Sequence, residues 1–165
     1  YADHAAEGET LGPAALRSEE RLLYEVIAFC CVTESLNAAL LLTIYEAASH
    51  DVVRDATHRL ARDEVQHARL GWAYLAHRVE QGADVSFLAP YVSRILTAAA
   101  SENLTESDAF CAQWADPTLG YLPRERRVEV FGQCVTDVII PGLARYGVPT
   151  AQAEGWVGDQ SWLGP

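Results

Sequence analysis

Apolar residues recur at spacings of three and four along most of this chain, the repeat of helices packed by one face. The first stripe runs through Leu22, Leu23, Val26, Ile27, Cys30, Cys31, Glu34, Ala38, Leu41 and Tyr45. Ser18 before Glu19 and Glu20 is a start signal, a capping hydroxyl with acids in the first turn. Ser49-His50-Asp51 closes this helix, and Asp51 is placed to cap the next. The second stripe carries Val53, Leu60, Glu64, His67, Gly71, Tyr74 and Leu75. Arg54, Arg59, Arg62 and Arg69 fall largely off it, and Gln81-Gly82 ends it. The pattern therefore predicts helices over about 19–48 and 51–80, which so short a link forces to pack antiparallel.

Further on the signal weakens. A helix is predicted from about Phe87 to Ala100, interrupted early by Pro90. Residues 101–122 read as loop, with one short helix near Ser107 to Trp114. A last helix is expected from Pro123, which suits a first turn, to Tyr146, with Pro141 kinking or ending it. Residues 1–18, with Gly8, Gly12 and Pro13, read as a linker. Residues 148–165 read as an extended strap anchored by Trp156 and Trp162. No strand alternation and no internal repeat is visible. The expected architecture is all-α, with one helical domain over 19–147.

Composition narrows the picture. A chain of 165 residues, half of them apolar, is long enough for one domain with a proper core. A net charge of −11 argues against nucleic acid as a partner. Every basic residue other than histidine is arginine. Cys30, Cys31, Cys111 and Cys134 contain no Cys-x-x-Cys, so they form no zinc pattern. Adjacent helical positions point about 100° apart, so Cys30 and Cys31 do not bridge each other. Reduced thiols and a cytoplasmic location are the expectation. The longest uncharged apolar run, Ala38 to Tyr45, is far short of the roughly 20 residues a bilayer needs, so no membrane partner is expected. The chain has no methionine and opens Tyr1-Ala2-Asp3, which predicts a further segment ahead of it or on another chain.

The chemistry is concentrated in Asp63-Glu64-Val65-Gln66-His67. Glu64 and His67, three residues apart on one helix, share a face and can grip one metal ion. Glu34 is a lone carboxylate in the apolar stripe of the preceding helix. With the turn near residue 50, Glu34 and Glu64 each lie about 20–24 Å from it at about 1.5 Å per residue. Antiparallel packing thus brings Glu34, Glu64 and His67 to one level. A carboxylate in an apolar seam costs several kcal/mol unless a cation or partner compensates it. Two carboxylates and one imidazole cannot satisfy one another, and a divalent metal satisfies all three. That donor set suits iron or manganese. Asp63 points elsewhere and is expected to accept from a ligand histidine on a neighbouring helix. Gly71, one turn past His67, is expected to leave space beside the metal.

Glu34 followed by Asp63-Glu64-x-x-His67, in the wording Cys-Val-Thr-Glu-Ser-Leu-Asn-Ala and Arg-Asp-Glu-Val-Gln-His-Ala-Arg-Leu, resembles the ferritin-like di-iron carboxylate superfamily. The likeness covers residues 19–80 and is closest to the second half-site of bacterial ferritin-like proteins. It implies a four-helix bundle with two half-sites and two metals per complete site, iron first and manganese second. Glu34, Glu64 and His67 are the implied ligands, with Asp63 behind them. The departure is that no second Glu-x-x-His exists. Glu129 and Asp137 lie on the last helix with no histidine, and His50, His58 and His77 lack the motif. The other half-site is then expected from an absent N-terminal helical hairpin, a partner chain, or another copy. The resemblance implies an oxidoreductase that activates O₂ or peroxide, or oxidises Fe²⁺. Iron binding or storage without turnover, and a helical scaffold with a degenerate site, are the alternatives.

Overall fold

The computed structural model describes residues 12–104 and 116–159. All its regular elements are helical among the described residues. Helix α1 spans Ser18–Ala47 and α2 spans Asp51–Glu80. A 3₁₀ turn at Ser86–Leu88 leads into α3, Val92–Leu104. A second 3₁₀ turn, Pro117–Leu119, precedes α4, residues 124–145. Helix α5 spans Ala151–Gly158.

The first two helices follow the sequence pattern closely. Their antiparallel register is fixed by a series of pairings down their length. The Arg54 guanidinium donates to the Tyr45 and Ala48 carbonyls near the turn. Glu34 meets His67 at mid-length, and Gly71 lies against Cys30 beyond it. At the far end Arg78 pairs with Glu19. Helix α1 starts one position earlier than expected: Arg17, not Ser18, is the cap, and the Glu20 carboxylate accepts its backbone N–H.

Two departures have a backbone cause. Helix α1 is π-helical over Ile27–Thr33, where the Glu34 N–H donates to the Phe29 carbonyl, five residues back. The Thr33 hydroxyl donates to the Ala28 carbonyl and reinforces the wide turn. A π turn takes in one extra residue, about 100° of helical phase. The expected stripe therefore does not run straight through. Leu23, Ile27, Cys31, Val32 and Leu36 are buried, whereas Leu22 is exposed and Glu34 sits at the edge of the core. In α4 the same device accommodates Pro141. Residues Val135–Ile139 are π-helical and the helix continues through Ile140–Arg145, so the proline does not end it.

The core gathers Ile27, Leu36, Leu75, Leu88, Leu96 and Phe131, with Leu143 and Ile139 from α4. On α2 the buried positions are Thr57, Ala61, Ala68, Gly71 and Leu75. The expected stripe is thus displaced: Leu60 and His67 lie outside it and are exposed. Small side chains face α1 and let the two axes approach, leaving the bulky ones on the flank.

The C-terminal segment corrects a second expectation. It is no extended strap over 151–158 but a helix, α5, docked on α3 through Ala153 and Trp156. The Thr150 hydroxyl bonds the Glu154 carboxylate across its first turn, which stabilises the start that Pro149 precedes. The short helix expected near Ser107 to Trp114, most of the N-terminal linker, Cys111 and Trp162 lie outside the described residues.

Helix α1 is also longer and more apolar than its uncharged core run suggested. An 18-residue stretch has mean hydropathy 1.8, and only 33% of it is buried. Length and composition would let it cross a bilayer. Here it lies along α2, whose exposed side is rich in arginine.

Candidate metal centre

Glu34, Glu64 and His67 converge. One ligand atom from each lies within 4.8 Å of the other two. His67 Nδ1 is 3.3 Å from Glu64 Oε2 and 4.0 Å from Glu34 Oε1. Glu34 enters from α1 one residue after the π-helical turn, so that turn sets its direction. Glu64 and His67 enter from one face of α2, as their spacing requires. The centre opens to solvent on one side. The carboxylate side chains are 23% and 22% exposed, and the imidazole is 59% exposed.

The electrostatics follow from two carboxyl groups held together at the edge of an apolar core. Partial burial and the hydrogen bond to Glu64 push the Glu34 carboxyl up to about 7. The same bond from Glu34 holds Glu64 below the usual carboxylate range, with His67 adding to the effect. When the pair takes up a proton, Glu34 rather than Glu64 is therefore the group that holds it. Asn37, one turn along α1, also bonds Glu34 and favours its charged form. Asn37 is the participant that motif reasoning missed. An amide three residues after a lone helical carboxylate was the available signal.

The remaining expectations divide. Asp63 is exposed and, among the described residues, meets no histidine of another helix. Gly71 does not open space beside the centre. A Cβ there would come within 2.4 Å of Cys30 Cβ and 3.0 Å of the Cys30 carbonyl carbon, so Gly71 is the point where α1 and α2 touch. Cys30, Cys31 and Cys134 are free thiols. Burial raises all three, Cys31 to about 12 and Cys134 to about 11, so none offers a thiolate at neutral pH. Tyr24 packs edge-on against Tyr91, Tyr45 lies tilted over His58, and the Tyr74 hydroxyl accepts from Arg78. Glu129 pairs with Arg126 and takes no part.

Chemically, the donor set fits a divalent cation. Three donors of oxygen and nitrogen type converge, no arginine among the described residues pairs with either carboxylate, and a cation would displace the proton that Glu34 favours. The chain matches no family model, no curated protein and no solved structure.

Proposed function

We propose that this chain contributes one half of a dimetal carboxylate centre in a ferritin-like helical bundle, with Glu34, Glu64 and His67 as ligands. Iron is the metal this reading prefers, and manganese suits the same donors. The convergence of the three side chains from two helices carries the proposal. The absence of an arginine partner on Glu64, among the described residues, speaks against a decayed site in which an ion pair has replaced the metal.

The residues divide the work. Glu34 gives up its proton as the cation enters, and Asn37 holds the resulting carboxylate in place. Glu64 and His67 close the other side. When bound, the metal would supply electron exchange with O₂ or peroxide, or with further Fe²⁺. Leu60, two turns before His67, and Leu70, one turn after it, are exposed. They would exclude water once a second ligand-bearing hairpin covers them, whether from the same polypeptide, a partner chain or another copy. As an uncovered hairpin the site is open at His67, which favours a second reading, iron holding and exchange without turnover.

Metal analysis of the purified protein against Glu64→Ala and His67→Ala tests the assignment. Loss of bound metal in both is expected, and unchanged content in both overturns it. Fe²⁺-dependent O₂ consumption then separates oxidoreductase from storage protein.

A further inference from the structure

A trough lies where α1, α2 and α4 meet, and none of Glu34, Glu64 or His67 lines it. Its larger lobe has a volume of about 540 Å³, within the range of small-molecule sites. The lobe exists because Ser35, Ala38, Ala39 and Ala68 are small where three helices converge. Its walls are Leu42, Val65, Trp72, Val130 and Val138. The indole N–H of Trp72 is satisfied by the Ser35 hydroxyl, so its ring presents an apolar wall. Apolar surface of this kind is poorly served by water.

A smaller lobe of about 260 Å³ shares Leu42, Val65 and Arg69 with the first, so the two adjoin. It adds His58, Arg62 and Gln66, and none of its lining residues is acidic. Residues 58, 62, 66 and 69 follow helical spacing along one face of α2. Arg62 and Arg69 have no ion-pair partner among the described residues, whereas Arg17, Arg59, Arg78 and Arg126 all do. Two uncommitted guanidinium groups beside one apolar lobe stand out in a chain of net charge −11. Glu46 and Asp137 line the larger lobe with Arg126, and because Arg126 is already paired with Glu129 the two carboxylates would repel a second anionic group there.

We propose that this trough binds a linear amphiphile with a single carboxylate head, its alkyl chain lying in the larger lobe and its carboxylate on Arg62 and Arg69. Guanidinium and carboxylate match in fork geometry and charge, and the apolar walls match the chain. The acidic residues of the larger lobe set polarity, admitting an uncharged tail and refusing a dianion. The site is independent of the metal centre, so chelator does not affect it.

The test is calorimetric titration of the whole chain, in chelator, with dodecanoate below its micellar concentration. Dodecanol and dodecyltrimethylammonium serve as head-group controls. Dodecanoate is expected to bind one per chain, more weakly as salt rises. The double variant Arg62→Gln/Arg69→Gln should weaken dodecanoate by about tenfold or more, the loss of charge-assisted bonding, and leave dodecanol unchanged. Ala68→Leu, or Ala39→Leu should the first not fold, should abolish binding of both by filling the lobe. No dodecanoate binding, equal or tighter binding of the cationic amphiphile, or indifference to the arginine or leucine substitutions overturns the proposal. So does association with phosphatidylglycerol vesicles without binding of monomeric dodecanoate.

Discussion

Replacing Glu34 by glutamine should stabilise the metal-free protein at alkaline pH while removing its metal response. In the fold the Glu34 carboxyl keeps its proton up to about 7, whereas its ordinary value is 4.5. Between those limits the native state binds a proton that the unfolded chain has released. Stability from this group is therefore lost as pH rises from about 4.5 through about 7. At about 1.4 kcal/mol per pH unit the ceiling is about 3 kcal/mol. Water on the open side and the opposite displacement of Glu64 reduce it, so about 1–2 kcal/mol is expected. Glutamine has the shape of the protonated acid and donates to Glu64 at every pH. Urea unfolding in chelator should give matched stabilities near pH 4.5 and a gap favouring Glu34→Gln at pH 8. Added Mn²⁺ should then stabilise the native-sequence protein, by about 2.7 kcal/mol at a hundredfold excess over its Kd, and the variant much less. A gap that is constant across the pH range, or that favours the glutamate at pH 8, would refute the proton on Glu34.

Three further substitutions probe the frame. Gly71→Ala sets a methyl group against Cys30 backbone that cannot yield, and should cost about 1–3 kcal/mol in thermal unfolding while weakening metal affinity; an unaltered melt and titration would reject the close contact. Phe131→Ala empties a fully buried position and should cost about 3–5 kcal/mol in denaturant, with the metal stoichiometry retained. Trp156→Ala should cost about 1–2 kcal/mol through lost apolar contact, since the ring packs on the core from α5; a neutral result would mean that α5 is not docked.

The hairpin and its three donors were legible in the sequence because each depends on local spacing plus one arithmetic constraint, equal distance from a short turn. Glu64 and His67 need only a helix to share a face, and Glu34 needs only antiparallel packing to reach them. What was illegible depends on backbone hydrogen bonding that side-chain periodicity does not encode. The π turns at Ile27–Thr33 and Val135–Ile139 change helical phase without any break in the apolar run. The first lets Leu36 share the buried side with Ile27 and Cys31, and the second lets α4 continue past Pro141. The sequence shows the distance of Gly71 from His67, which suggests space, but not its approach to Cys30. In the tail, Gly155 and the nearby Pro149 conceal a helix held by docking, as short helices generally are.

The incomplete ligand set and the uncovered surface have a common position. On α2 the exposed residues Val52, Ala56, Leu60, Asp63, His67 and Leu70 follow spacings of four and three, a second seam beside the buried one. On α1, Phe29 and Leu22 are exposed in a helix whose most apolar stretch is two-thirds unburied. Isolated exposed apolar residues are ordinary, but Val52, Leu60 and Leu70 in one periodic row are the pattern of a helix with two packing partners. His67 belongs to that row and to the candidate centre at once. In the proposed bundle, a hairpin covering the row would desolvate the centre, which raises the cost of two uncompensated carboxylates and strengthens their attraction for a cation. Metal and covering hairpin would therefore each increase the affinity of the other, a reciprocal linkage that follows from their shared surface and needs no change in the fold of either helix.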